Sequence, residues 1–262
     1  MWDGFDPLYP FFGLLVGAMI GMTGVGGGSL MTPLLILLFG IHPALAVGTD
    51  LLYAAATKSV GTVTHGLART VEWKIVWRLA LGSVPATMLT LWWLSNANLE
   101  SEEVGSLITY VLGWALLLTS VSLFVRVCFR GAAFSYFENI GPEYRFAATI
   151  VTGALLGVLV SMTSVGAGAL GVVLLIALYP KLPMARIVGS DVAHAVPLTL
   201  IGGIGHWQLG SVDASLLLSL LLGSVPGVLI GSIAAARFPE TVIRLVLAVV
   251  LAAVSLRLLL GG

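Results

Sequence analysis

Long apolar runs, broken at intervals by short polar or glycine-rich stretches, dominate this chain. The runs near 46–66, 74–95 and 104–127 are each long enough to cross a bilayer as a helix, which takes about 20 apolar residues at 1.5 Å each. Three more follow near 188–207, 213–236 and 242–260. Each trio is preceded by an unequal pair of apolar segments. The first pair, near 10–22 and 28–40, flanks the glycine run Gly24-Val25-Gly26-Gly27-Gly28, and the second lies within 146–180 around Ser164 to Ala169. Because residues 28–40 are too few to span comfortably, each pair is predicted to be a broken or re-entrant hairpin, with two full spans as the alternative. The pattern therefore predicts an all-α polytopic membrane protein with eight to ten membrane segments.

The two trios are related. Met22, Thr23, Val25, Gly26 and Gly28 recur 140 residues later as Met162, Thr163, Val165, Gly166 and Gly168. Val47-Gly48-Thr49-Asp50 returns as Val188-Gly189-Ser190-Asp191, His65 as His206, and Gly82-Ser83-Val84-Pro85 as Gly223-Ser224-Val225-Pro226, now 141 residues on. So many matches in one order indicate duplication, with one residue inserted between the hairpin and the following spans. Residues 1–129 form the first repeat, 130–145 a polar cytoplasmic linker and 146–262 the second repeat. An odd number of spans per repeat, three or five, starts the second on the opposite side of the membrane, so the repeats are expected to be inverted.

Composition sharpens this reading. Of 262 residues, 58% are hydrophobic and 9% charged, with a mean hydropathy of +1.07. Soluble domains carry roughly 25% charged residues, so a soluble fold is excluded. The zero net charge argues against nucleic acid as a partner. Placing the N-terminus outside puts Arg69, Lys74, Arg78, Arg126, Arg130, Arg145, Lys181, Arg186, Arg237 and Arg244 on the cytoplasmic side, ten of the twelve basic residues. Both termini are thus expected to be periplasmic in a bacterial inner membrane. The first segment lacks a basic flank, so no cleaved signal is expected. Cys128, the single cysteine, cannot form a disulfide within one chain and is read as packing.

Candidate chemistry sits where polar groups interrupt the spans. Interrupted helices at matching positions of two repeats point to a midplane binding site whose helix N-termini attract anions. The candidate substrate-binding residues are Thr23, Gly24, Gly26, Gly27, Gly28 and Ser29 of the first turn and Thr163, Ser164, Gly166 and Gly168 of the second. Glycines at four-residue spacing elsewhere, Gly13, Gly17 and Gly21 and then Gly223, Gly227 and Gly231, read as close helix contacts. Lys58 is an ionisable residue in mid-span, where such groups are costly and tend to be functional. It shares one helical face with Asp50, Ala54, Thr57, Gly61 and His65, and serves either as an ion-pair partner of Asp50 or as the cation that neutralises a substrate anion. Asp50 and Asp191 fall near the expected starts of their helices, where they would cap the first turn or take up a coupling proton. His194, three residues after Asp191, is a third proton-coupling candidate. No cofactor, metal or enzymatic chemistry is expected. The glycine run lacks the last glycine of a dinucleotide fingerprint and any Walker lysine, Gly27 to Met31 lacks the closing glycine of a nucleophile elbow, and the four histidines have no ligand spacing.

Gly21-Met-Thr-Gly-Val-Gly-Gly-Gly-Ser-Leu30, Val47 to Asp50, Gly82 to Pro85 and their second-half partners resemble the TauE/SafE family, also called the toluene sulfonate uptake permease family. The resemblance runs from about Gly13 to the last span. It implies a secondary transporter, working in the export direction, for sulfite, an organosulfonate or a related small sulfur-containing anion. That anion and the lipid bilayer are its implied partners, and the sequence accommodates either a monomer or an oligomer. The second turn carries Ala167 and Ala169 where the first has Gly27 and Ser29, so the two half-sites are expected to contribute unequally. The competing expectation is a membrane-embedded accessory or binding subunit that moves nothing by itself.

Overall fold

A computed structural model describes residues 7–23, 28–128, 141–235 and 240–261. Among these residues the secondary structure is helical throughout: α1 (Leu8–Thr23), α2 (Gly28–Phe39), α3 (Pro43–Leu67), α4 (Trp73–Ser95), α5 (Glu102–Cys128), α6 (Pro142–Thr163), α7 (Leu170–Leu178), α8 (Met184–Gln208), α9 (Ala214–Ala235) and α10 (Glu240–Leu260). Six of them, α4, α5, α6, α8, α9 and α10, are long and apolar enough to cross a membrane. Helix α3 matches α8 at 25 residues, but Asp50, Lys58 and His65 make it less apolar. The chain is an all-helical, multi-pass membrane protein.

Two expectations from the sequence change in detail. The second hairpin is unequal, because α6 has 22 residues (~33 Å) whereas α7 has nine (~14 Å). A spanning helix followed by a half-helix therefore stands where a broken or re-entrant hairpin, or two full spans, was expected. Helix α6 also begins at Pro142, inside the expected linker, since Gly141 at the N-cap and Pro142 after it suit a helix start. Residues 129–140, which hold most of the expected linker, lie outside the described residues.

Packing follows the repeat. Helix α1 lies against α9 and α6 against α4, α3 pairs with α8, and α5 pairs with α10. The contacts recur with the halves exchanged. A Cβ on Gly13 or Gly17 would run into the backbone of Leu220 or Ser224, and one on Gly153 or Gly157 into that of Leu79 or Ser83. Gly48 meets Ser211 as Gly189 meets Thr70. Thr49 Oγ1 accepts the Asp213 N–H at 3.1 Å, and Ser190 Oγ accepts the Glu72 N–H at 2.8 Å. The same contacts are thus made twice, once from each half. The small residues let backbones touch, which is how helices associate where lipid removes the hydrophobic drive. The outer faces of α4 and α9 expose Trp77, Leu81, Leu89 and Trp92, and Leu218, Leu222 and Ile233, an apolar surface suited to acyl chains.

Gly157→Val and Gly227→Val are expected to overpack the α4–α6 and α1–α9 contacts by about 1–3 kcal/mol each. Gly66→Ala, where an added Cβ meets nothing within 4 Å, should be near neutral. Thermal unfolding in detergent checks this; equal midpoints for all three would refute the close-contact role.

Candidate functional site

Both half-helices point their starts at the central α3–α8 pair. In α2, Thr32 Oγ1 donates to Asp50 Oδ2 at 2.5 Å, and the Thr32 amide lies beside the same carboxylate. In α7, a methyl added at Gly171 would collide with Asp191 Oδ1, so that carboxylate packs against the first turn. Both aspartates are fully buried. Each is the eighth residue of its own helix, and neither α3 nor α8 has an acid in its first turn. Capping of their own helices is therefore corrected: α3 starts earlier than the apolar pattern indicates, at Pro43, and α8 at Met184 after Pro183. The carboxylates instead face the short partner helix of the same repeat, whose exposed N–H groups and dipole favour an anion.

Lys58 comes from α3, is buried, and donates from Nζ to the Ala167 carbonyl at 3.0 Å. Asp50 and Asp191 both lie within electrostatic range of its ammonium. One lysine thus stands between two carboxylates and a bare carbonyl of the second turn. In that turn Ser164 is left-handed at φ 58° and donates its N–H to Val160 O at 2.7 Å. Gly166 and Gly168 follow at φ 126° and 122°, conformations that favour glycine. The Gly171 N–H returns to Gly166 O at 3.1 Å. Thr163 Oγ1 donates to Leu159 O at 2.6 Å and accepts the Val165 N–H at 3.1 Å, so this hydroxyl shapes the turn. Ser164 Oγ is buried beside Asp50 without a hydrogen bond of ordinary geometry. Val165, Ala167 and Ala169 are buried in apolar clusters, which satisfies the rule that irregular backbone at membrane depth must be enclosed by protein.

A cavity of about 390 Å³ opens onto this cluster. Lys58, Asp191, Thr57, His65 and Gly168 line its polar side, with Val228 and Leu229 of α9 opposite. The helical face read from the sequence is thus present: Asp50 and Ala54 are buried within it, and Thr57, Lys58, Gly61 and His65 reach the cavity. Gly24, Gly26 and Gly27 lie outside the described residues. Thr23 closes α1, Gly28 opens α2 and Ser29 is buried beside it. His194 bonds through Nε2 to Ser83 Oγ at 2.8 Å. Its repeat mate is Tyr53, whose hydroxyl donates to Ser224 Oγ at 2.6 Å. Sequence reasoning missed Thr32, the Ala167 carbonyl and these two serines. Ser83 and Ser224 carried a signal, as members of the recurring Gly-Ser-Val-Pro segment.

The family model described as "Sulfite exporter TauE/SafE" matches residues 9–258. The chain belongs to the TauE/SafE family. It is 39% identical to the "Probable membrane transporter protein YjnA" of Bacillus subtilis, over 94% of this chain and 97% of that one. Identity is 26% to YdhB of the same organism, over 88% and 90% of the two chains, and 27% to a "Probable membrane transporter protein" of Xylella fastidiosa, over 86% and 83%. No solved structure matches. The TauE/SafE chain is a membrane transporter by these relations, and its charge cluster lies inside the matched region.

Lys58→Met leaves two buried carboxylates without their cation and is expected to cost about 3–5 kcal/mol. Adding Asp191→Asn should recover part of that loss, with a coupling of about 1 kcal/mol or more. Purely additive shifts in thermal unfolding would break the proposed link between the two side chains.

Proposed function

We propose that this TauE/SafE protein is a secondary transporter that exports sulfite, an organosulfonate or a related small sulfur-containing anion by alternating access, with Lys58 as the cation that receives it. The observation that carries the reading is a buried lysine at the wall of a cavity between the two halves, placed beside the start of a half-helix. Both half-helix starts are already faced by carboxylates, so the substrate is received by the ammonium and the cavity's hydroxyls, not by bare helix ends. The export direction and sulfur chemistry are supported by the family's description as a sulfite exporter. An inner-membrane location with both termini periplasmic is supported by the distribution of basic residues.

Charge balance supports proton coupling. Two carboxylates and one ammonium sum to one negative charge when all are ionised, which repels an entering anion. A proton on Asp50 or Asp191 removes that repulsion, and buried charges are tolerated only when compensated. His194, tied to Ser83, is the less suited carrier of the three. Movement of the two inverted halves about the α3–α8 contact would expose the cavity to each side in turn.

The test is flux of radiolabelled sulfite and a sulfonate panel in proteoliposomes, with and without a pH gradient. Saturable flux is expected, falling at least tenfold in Lys58→Ala and in the stability-restored Lys58→Met/Asp191→Asn variant. Asp191→Asn alone should bind the anion at least as tightly, and flux should lose its gradient dependence if Asp191 carries the proton. Flux unaffected by loss of Lys58 removes the assigned role. No flux of any anion, in vesicles holding folded protein, favours the accessory subunit.

A further inference from the structure

Away from the central site, a second cavity of about 290 Å³ lies where the starts of α4 and α6 meet the α7–α8 connection. Lys74, Arg78, Arg145 and Lys181 line it, with Tyr179 among them. Among the described residues Glu72 is the only acid in its lining, and it is ion-paired with Arg186. Tyr179 organises the wall: its hydroxyl accepts from Arg78 Nη1 at 3.3 Å and bonds Thr149 Oγ1 at 2.8 Å, while the Arg145 guanidinium stands 5.8 Å over its ring. Four cations therefore share one recess.

The repeat supplies an internal control. At the positions equivalent to Lys74, Arg78, Tyr179 and Lys181, the other half has Ser215, Ser219, Phe39 and Ile41. There Phe39 packs against Tyr9 and Phe12, with ring centroids 4.9 and 5.2 Å apart. The same architecture folds with an aromatic plug and no basic residue at these positions, so the charges are not required by the helix packing. Trp73, Trp77 and Tyr144 stand exposed around the basic recess. Tryptophan and tyrosine belts mark the headgroup depth of a bilayer, and basic pockets between spanning helices at that depth hold anionic headgroups.

We infer that this recess is a binding site for the phosphate headgroup of an anionic phospholipid, separate from the transport cavity. The guanidinium of Arg78, steadied by Tyr179, suits the phosphodiester oxygens. Lys74 and Lys181, both exposed, add charge at the rim, and the aromatic side chains would rest among the acyl chains beside it. The inference stands whether or not the central cavity carries a sulfur anion.

Lipid retention by the purified full chain, read by native mass spectrometry from micelles doped with phosphatidylglycerol or phosphatidylcholine, tests it. Selective retention of phosphatidylglycerol is expected. Each of Lys74→Gln and Lys181→Gln should weaken it about fivefold, and the pair about twenty-five-fold. Both lysines are exposed, so the variants should unfold at the parent's temperature in phosphatidylcholine. Arg78→Gln is a further variant, read only if its unfolding temperature is also unchanged. Equal retention of the two lipids, or undiminished phosphatidylglycerol binding by the double variant, overturns the proposal. Full displacement of the lipid by millimolar inorganic phosphate would make the recess a soluble-anion site and overturn the lipid assignment.

Discussion

The constraint on which this structure depends is that a helix interrupted inside a bilayer must find partners for its backbone ends within the protein. Helices α2 and α7 are too short to carry their N-termini to water, and each is met by a carboxylate from the long helix that follows it. Those carboxylates are themselves costly at depth, which draws in Lys58. The chain of necessity runs from a glycine turn, to a buried helix start, to an aspartate, to a lysine. The steps as far as the aspartate recur in both halves, and the lysine follows in the first alone. The glycine contacts between α1 and α9 and between α4 and α6 enclose this polar interior, because only small residues let four helices close in without a gap.

Much of this was legible in the sequence, and the reason is period. A run of about 20 apolar residues has one economical structure in lipid, so the long helices could be placed to within a few residues. Repeat matches located both broken regions, and the face from Asp50 to His65 followed from helical spacing. What stayed hidden depended on contacts between helices, 18 residues apart for Thr32 and Asp50 and 109 for Lys58 and Ala167. Lys58 meets Ala167 through a backbone carbonyl, a group every residue possesses and no pattern marks. Thr32 looks like any threonine in an apolar helix until Asp50 is seen beside it. The first turn of α3 was misjudged because Pro43 starts the helix before the apolar run does, which moved Asp50 from a cap position to the start of the third turn.

His194 illustrates a different limit. Three residues after Asp191, it reads as a proton partner on spacing alone. In the fold its imidazole and the Tyr53 phenol occupy equivalent places, each holding the serine of a Gly-Ser-Val-Pro segment in the opposite half. Two chemically unlike side chains making one contact indicates that the contact, joining α8 to α4 and α3 to α9, is what the position supplies.

Where the copies differ, the shared architecture no longer explains the residue, and function becomes the better account. Lys58 has Thr199 as its mate, and Thr199 merely returns its hydroxyl to the Ala195 carbonyl of its own helix at 2.8 Å. A fold of this kind can thus close around a threonine at that position. Placing a lysine there instead puts a cation near both aspartates and leaves the second half without one. A symmetric pair of lysines would neutralise both carboxylates permanently, and two threonines would leave both uncompensated. One lysine for two aspartates keeps the ionised cluster a single negative charge from balance, and that unequal arrangement is a difference between the copies that the shared packing does not require.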